Sequence, residues 1–158
     1  MSRASALLMS VLSLGLLLPP AALRAATEEA PVTAAGRPKV KLDRLTFPAS
    51  WNGGKDYETH LRTTLKHEAQ RADWGASSGS KISYRFFVEE LELREEGGVL
   101  HVTCTALGRL PKGKSAKSHI AFGGDARERK KVVQHVLDIV ARGVVTRLAE
   151  LERTRRTP

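Results

Sequence analysis

Histidine and cysteine are the residue types in this 158-residue sequence whose spacing could form a metal site. Two histidines on one helix hold an ion when they lie four residues apart. His60 and His67 are seven residues apart, roughly 10 Å along a helix, so they do not share a metal. His101 and His119 belong to separate predicted strands, and we expect both to be surface side chains. The sequence therefore predicts no metal site and no cofactor.

The single cysteine, Cys104, is the one candidate thiol nucleophile. It shares the apolar side of a predicted strand with Val102 and Ala106, whereas a nucleophilic thiol needs exposure and a neighbouring base. We therefore predict a buried, unreactive thiol. A chain with one cysteine also forms no internal disulfide.

Two further patterns fail as catalytic motifs. The GGK at 53–55 has neither the earlier glycine nor the following serine or threonine of a phosphate-binding loop. The glutamate pairs at 89–90 and 95–96 flank a predicted hairpin turn, where a solvated edge is the simpler interpretation. No catalytic residue is predicted, and the sequence favours a binding protein over an enzyme.

Two clusters of basic residues are the feature that local structure explains least. One lies in and beside a predicted loop at 111–117, and the other begins the last predicted helix, where cations oppose the helix macrodipole. We interpret them as a candidate anion-binding rim, with a merely solvated face as the alternative. A short predicted strand separates the two clusters in the sequence, and the two clusters lie either at the same end of the sheet or at opposite ends. The candidate residues are Arg109, Lys112, Lys114, Lys117, Arg127, Arg129, Lys130 and Lys131.

The charge of the whole chain supports an anionic partner. Its net charge is +9, and a basic surface favours lipopolysaccharide phosphates, acidic glycans or other polyanions. Nucleic acid is disfavoured, because the aromatic side chains that would stack on bases fall mostly on core positions.

The amino-terminal residues have the order of a secretory signal peptide. Arg3 supplies a positive charge, 6–18 form an apolar run, and two prolines and small residues follow. The run is too short to span a bilayer, which takes about 20 apolar residues. We place the cleavage near Ala26, with Ala22 and Ala25 as competing sites.

The remaining chain is predicted to be one exported domain. No cysteine lies directly after the cleavage site, so we expect no lipid anchor, and no later segment is apolar enough to span a membrane. The protein is expected in the periplasm or outside the cell. The predicted layout is a signal peptide at 1–26, a disordered lead-in at 27–38, a single α+β domain at 39–152 and a basic tail at 153–158.

Hydrophobic periodicity predicts the elements that position these residues. Their order is β-α-β-β-β-α, which fits an α+β fold with an antiparallel four-stranded sheet and two helices packed on one face. In the first and second predicted strands the apolar residues switch between even and odd positions partway along, which predicts bulges at 43–44 and 89–90. Asp56 is the predicted N-cap of the first helix, and Asp125 with Glu128 the predicted capping box of the second. The predicted strands are 39–47, 81–95, 99–110 and 118–122, and the predicted helices are 55–72 and 125–151.

This element order, together with "KVKLDRLTF", the hairpin around "EEGG" and the helix from Asp125, resembles small envelope accessory proteins of Gram-negative bacteria. The likeness covers 39–152 and is strongest to the lipopolysaccharide-assembly lipoprotein that plugs an outer-membrane barrel. The resemblance implies binding rather than catalysis, a role in outer-membrane assembly, an envelope protein partner, and basic side chains that contact lipid-A phosphates.

Two functions from different classes remain. The first is a non-enzymatic exported envelope accessory protein that binds an anionic glycolipid, a glycan or an outer-membrane protein through its basic rim. The alternative is a small secreted enzyme or enzyme inhibitor without a recognisable motif. A convex sheet with a basic rim favours the first, and a deep cleft with converging acid, base or thiol groups favours the second.

Overall fold

The structure, a computed structural model, describes residues 36, 38–75, 79–111 and 113–156. All of them fall in one structural unit, 33–158, while a second unit, 1–32, lies outside the described residues. The predicted signal peptide, most of the predicted lead-in and Lys112 therefore lie outside the described residues as well.

Four strands and two helices follow one another in the predicted order, and the α+β fold class is confirmed. The strands form one sheet in which spatial order equals chain order. A 3₁₀ turn at Ala126–Glu128 precedes the second helix. The elements are β1 Lys39–Thr46, α1 Lys55–Arg71, β2 Lys81–Glu96, β3 Val99–Arg109, β4 Ser115–Asp125 and α2 Arg129–Arg156.

One strand pair departs from the predicted antiparallel pattern. β1 and β2 run parallel, whereas β2–β3 and β3–β4 are antiparallel. The reason is the crossover: α1 carries the chain back along the sheet, so the next strand starts at the same end as β1. Helix α1 contacts β1, and α2 contacts β3, β4 and α1, which leaves the other sheet face open.

Both predicted bulges are confirmed. The β1–β2 register shifts between Leu42 and Arg44, and the β2–β3 register shifts between Val88 and Glu90. Each bulge reverses which side chains face the helices. The second bulge keeps Leu91 on the core side of β2.

The strand β4 is longer at both ends than the predicted 118–122. Its last residues include Gly123 and Gly124, which pair with His101 and Leu100 of β3. A β-carbon built on Gly124 would lie 2.6 Å from Val132 of α2. Glycine at this position therefore lets the helix approach the strand. The two glycines are part of β4 and do not form the turn that their residue type suggested.

The helix starts differ in part from the prediction. Gly54, with φ of +84°, is the N-cap of α1, and no side chain caps that helix. Asp56 lies in the first turn instead, where its charge still favours the helix dipole. Asp125 caps the 3₁₀ turn that precedes α2, since its carboxylate accepts from the Arg127 amide at 2.9 Å. Glu128 binds Lys131 rather than completing a capping box.

The core lies between the sheet and the two helices. The predicted stripe of α2 is buried, with Leu151 only partly so, and Cys104 has no exposed surface, as predicted. Among the described helices, none is long and apolar enough to cross a membrane.

Helix α2 continues through part of the predicted basic tail, to Arg156. The reason is Glu152, which is buried and accepts hydrogen bonds from Arg155 and Arg156. Arg156 also donates to the Ser80 hydroxyl oxygen at 2.9 Å. These contacts fasten the end of α2 to the segment that begins β2.

Candidate anion-binding site

Three arginines lie side by side across the open face of the sheet. Arg44 of β1 is opposite Arg85 of β2, and Arg85 is opposite Arg109 of β3. Like charges directly opposite one another on neighbouring strands destabilise a sheet. We call these three residues the arginine row, and the stability of the sheet does not explain it.

More basic residues extend this charge toward the end of the sheet where β1 and β2 begin. Lys39 is opposite Lys81, and Lys41 is opposite Ser83, on the same face as the arginine row. The first bulge supplies a carboxylate, Asp43, whose Oδ2 accepts from Arg85 Nε at 3.3 Å. Asp43 is the one described carboxylate within ion-pair distance of the arginine row, so it matches one of the three arginines and leaves most of their positive charge unbalanced.

A cavity of about 300 Å³ lies beside the arginine row. Arg85 lines it and is oriented by Asp43. Arg109 also lines it, with its guanidinium carbon 5.7 Å from the centre of the Phe87 ring, a cation–π distance. Guanidinium groups present planar pairs of N–H donors that match the oxygens of a carboxylate or phosphate. The cavity is lined by Asp43, Ser83, Tyr84, Arg85, Phe87, Arg109, Leu110, Pro111 and Gly113.

The first predicted basic cluster is only partly brought together. Arg109 belongs to the arginine row, and Lys112 lies outside the described residues. Lys114 donates to the Leu151 carbonyl of α2 at 3.4 Å. Lys117 lies within β4 rather than in a loop, with its Nζ 2.9 Å from a Glu89 carboxylate oxygen.

The second predicted cluster has its own acidic partners. Arg127 pairs with Asp125 at 3.1 Å, and the hydrogen bonds from Arg127 lower the pKa of that carboxyl. Lys131 pairs with Glu128, whose hydrogen bond and charge raise the pKa of the lysine. These pairs account locally for cations that oppose the helix dipole.

The last two members of that cluster lie apart from the first. Lys130 Nζ reaches an Asp56 carboxylate oxygen of α1 at 3.1 Å. Arg129 has no carboxylate within ion-pair distance among the described residues, and it lines a different cavity, near Trp51.

The two predicted clusters lie at opposite ends of the sheet. All 11 residues of β4 separate Ser115, opposite Arg109, from Asp125, where the second cluster begins. At about 3.4 Å per residue the separation is roughly 35 Å. The seven predicted residues that the structure describes therefore do not form one rim.

Two members of the arginine row, Arg44 and Arg85, were missed by the sequence analysis. Alternation within each strand was the available signal, because it assigns both to the open face once the bulge at 43–44 is included. The alignment of the three strands was not readable, since register depends on pairing between distant segments.

A polar row elsewhere on the open face comes closest to a catalytic arrangement. The Thr105 hydroxyl donates to Glu90 Oε2 at 2.9 Å and lies 2.9 Å from His119 Nδ1. Since the single hydroxyl proton goes to Glu90, His119 Nδ1 is the donor in the second bond. The imidazole is therefore not placed to accept the hydroxyl proton, as a nucleophile's base would.

The described part of the chain also contains no group of three or more His, Cys, Asp or Glu side chains arranged to hold a metal ion. Of the two histidines first considered for a metal, His60 instead joins the helices, with its Nε2 2.8 Å from Asp138 Oδ1.

Comparison with known proteins returns similarity to solved structures alone. No family model matches the chain, and no curated protein matches it. A lipoprotein from Caulobacter crescentus is 11% identical, over 72% of this chain and 88% of its own, with a TM-score of 0.42. The PelC dodecamer from Paraburkholderia phytofirmans is 14% identical over 72% and 92%, with a TM-score of 0.43. Rare lipoprotein B from Shewanella oneidensis is 14% identical over 72% and 98%, with a TM-score of 0.40. Each of these is a protein to which the chain is similar in outline.

Proposed function

We propose that this protein is a non-enzymatic binding protein of the bacterial envelope, and that the arginine row on its open sheet face binds an anionic group. The ligand class is a phosphate or carboxylate carried by a glycolipid or an acidic glycan. The apparent signal peptide supports export to the periplasm or beyond, where such groups are abundant on envelope surfaces.

The observation that carries the proposal is the alignment of Arg44, Arg85 and Arg109 across three strands. Three adjacent guanidinium groups repel one another when the site is empty, and an anion between them removes that repulsion. Phosphate and carboxylate oxygens also accept the paired N–H donors of each group. A bound anion of this class therefore accounts for three aligned arginines that would destabilise the sheet without it.

The cluster at the start of α2 is the competing anion site within the same chain. Its charges are largely matched, since Arg127, Lys130 and Lys131 each contact a carboxylate. We therefore expect it to contribute less to binding than the arginine row.

The test compares two variants that each lose three positive charges. The first is Arg44→Gln with Arg85→Gln and Arg109→Gln, and the second is Arg127→Gln with Lys130→Gln and Lys131→Gln. The probe is immobilised lipopolysaccharide, measured at low and at physiological salt. Polygalacturonate, which has carboxylates and no phosphate, is the second probe and distinguishes the two anion classes.

We expect wild type to bind more tightly at low salt, where charges are least screened. Loss of the arginine row should weaken binding by about tenfold or more, given the strength of hydrogen bonds to charged groups. The helix-start variant should stay within about threefold of wild type. If the helix-start variant loses binding instead, that cluster is the site, and if wild type binds neither probe the proposed function is wrong.

A further inference from the structure

Strand β2 extends well beyond its parallel neighbour. The last β1–β2 pair is Thr46 with Phe87, whereas β2 continues to Glu96. On the β1 side of residues 88–96, no described residue forms a backbone hydrogen bond with the strand. We call this stretch the free edge of β2. It presents a line of unpaired N–H and C=O groups of the kind that accepts another strand.

A groove with apolar walls and a partly polar lining, to which Arg129 contributes, lies along the helix side of the free edge. It has a volume of about 520 Å³, with Leu91 and Leu93 as one wall and Trp51 and Tyr57 among the residues opposite. Leu91 and Leu93 are two residues apart, so they point the same way along the strand. The groove is therefore spaced for the alternate side chains of an extended peptide.

The wall formed by Trp51 is held in place without a ligand. Its ring lies 6.3 Å from that of Phe47 in a stacked arrangement and 5.7 Å from that of Tyr57 in an edge contact. A β-carbon built on Gly53 would fall inside the indole ring, so this glycine allows the ring to pack on the backbone. Because this wall is already ordered, less conformational entropy is lost when a peptide binds in the groove.

The opposite side of the free edge is acidic in a chain whose net charge is +9. Glu90 and Glu92 face the open side, each aligned with a threonine of β3, and Glu89, Glu95 and Glu96 belong to the same stretch. Arg94 is its only basic residue. Arg94 and Lys117 each contact one of these glutamates, and the other three have no ion-pair partner among the described residues. The edge therefore keeps a negative charge that favours a cationic partner on its open side.

We propose that the free edge of β2 binds an extended, lysine- or arginine-containing segment of a partner protein as an additional strand. Backbone hydrogen bonds supply the attachment. Apolar side chains of the segment enter the groove beside Leu91 and Leu93, and its basic side chains face Glu90 and Glu92. This site shares no residue with the arginine row, so either proposal stands or fails without the other.

The test uses an eight-residue peptide that alternates lysine with valine, added to the isotope-labelled folded protein. Binding is followed through backbone amide shifts and the indole N–H of Trp51. A peptide that alternates glutamate with valine is the control for charge. A lysine–valine peptide with two central prolines is the control for backbone pairing, because proline has no N–H.

Two single-charge variants sharpen the measurement. Glu92→Gln should weaken binding of the lysine–valine peptide about two- to fivefold, the range of one exposed charge pair. Glu150→Gln is the matched control, because Glu150 also lies in an exposed ion pair, with Arg147 on α2, as Glu92 does with Arg94, and it should leave binding unchanged. Leu93→Lys should remove binding by placing a charge in the groove. If Leu93→Lys lowers the melting temperature strongly, Leu91→Asn is used in its place.

The expected result is a set of shifts confined to residues 88–96 and the groove, for the lysine–valine peptide alone. Shifts centred elsewhere, equal binding of the glutamate or proline peptide, equal effects of Glu92→Gln and Glu150→Gln, or no binding at all would overturn the proposal.

Discussion

Burial sets the chemistry of Cys104. The thiol has no exposed surface beneath α2. Desolvation, together with a smaller contribution from the nearby charge of Glu90, raises its pKa to about 12. At neutral pH the sulfur is therefore a protonated, apolar group of the core, and reactive thiolate is scarce.

We predict that Cys104 does not react with a thiol reagent such as dithionitrobenzoate in the native protein at pH 8. The same reagent should label it fully in denaturant, because unfolding restores water and lowers the pKa. The measurement is the absorbance of the released thiolate over time. Rapid labelling of native protein would show that the buried face of β3 was assigned incorrectly.

The pKa of Glu152 is lowered, whereas that of Cys104 is raised. The Arg155 hydrogen bond lowers its pKa, with smaller contributions from Arg156, although burial acts against them. A carboxyl whose folded pKa is depressed stabilises the fold above its unfolded pKa, and this contribution is lost as the pH falls through the folded pKa. The stabilisation is therefore present at neutral pH and disappears in acid.

We predict that Glu152→Gln lowers the free energy of unfolding at pH 7 by about 1.5 kcal/mol or more, since it weakens hydrogen bonds to two charged groups. The difference from wild type should shrink below about pH 4, where the unfolded-state glutamate protonates. Urea unfolding at several pH values measures it. Glu150→Gln is the control and should stay within about 0.5 kcal/mol; a pH-independent difference for Glu152→Gln would contradict the assignment.

At the scale of elements, close contacts between α2 and the sheet depend on Gly108 and Gly124. A β-carbon built on Gly108 of β3 would lie 2.5 Å from Val144 and 2.7 Å from Leu148. Both neighbours are fully buried, so they have little room to move. Gly123 of β4 is different, because its nearest contact would be an ordinary 3.6 Å.

We predict that Gly108→Ala destabilises the protein by about 1–3 kcal/mol, the usual cost of overpacking a core. Gly123→Ala, on the open face of the same sheet, should be neutral or slightly stabilising because alanine reduces the freedom of the unfolded chain. Thermal melts of the two variants provide the comparison. Equal melting temperatures would mean that α2 does not pack on Gly108 as described.

The arginine row leads to a second prediction at this scale. Arg44 is opposite Arg85, and no described carboxylate pairs with it. Arg44→Gln should therefore leave the unfolding free energy unchanged or raise it by up to about 0.5 kcal/mol, while weakening anion binding. Arg156→Gln is the contrasting control and should destabilise, because Arg156 binds both Glu152 and Ser80. A loss above about 1 kcal/mol for Arg44→Gln would give the row a structural role.

At the scale of the whole molecule, the charge is distributed unevenly rather than spread as a uniform basic coat. On the open face, the arginine row lies toward one end of the sheet and the glutamates of the free edge of β2 lie toward the hairpin at the other end, where the basic cluster at the start of α2 also lies. The two proposals together predict that the arginine row and the free edge bind partners of opposite charge. Both surfaces lie away from the buried core, so changes there need not affect folding.

We predict that the protein is exported and that 22–26 residues are removed from its amino terminus. The physical reason is the order of a positive residue, an apolar run and small residues in 1–26. The intact mass of protein recovered from the periplasm or medium measures the cleavage site. Leu12→Arg with Leu14→Arg, which interrupts the apolar run, should block export, and exported protein that retains Met1 would contradict the prediction.

The sequence by itself determined the order of the elements, both bulges and the buried faces of β1, β2 and β3. Alternation along 81–95 and 99–110 and the stripe of α2 depend on local periodicity, which side-chain burial enforces residue by residue. The same periodicity predicted that Cys104 is buried. The length of β4 was underestimated, because Gly123 and Gly124 resemble a turn until their neighbours in β3 and α2 are known.

The tertiary structure alone decided which charges meet. Arg44, Arg85 and Arg109 come from three separate strands, and their alignment is set by strand register. The two basic clusters, neighbours in the chain, are separated because β4 lies extended between them. Local periodicity reports which face a side chain occupies, whereas register and separation depend on backbone pairing between distant segments, which no local pattern encodes.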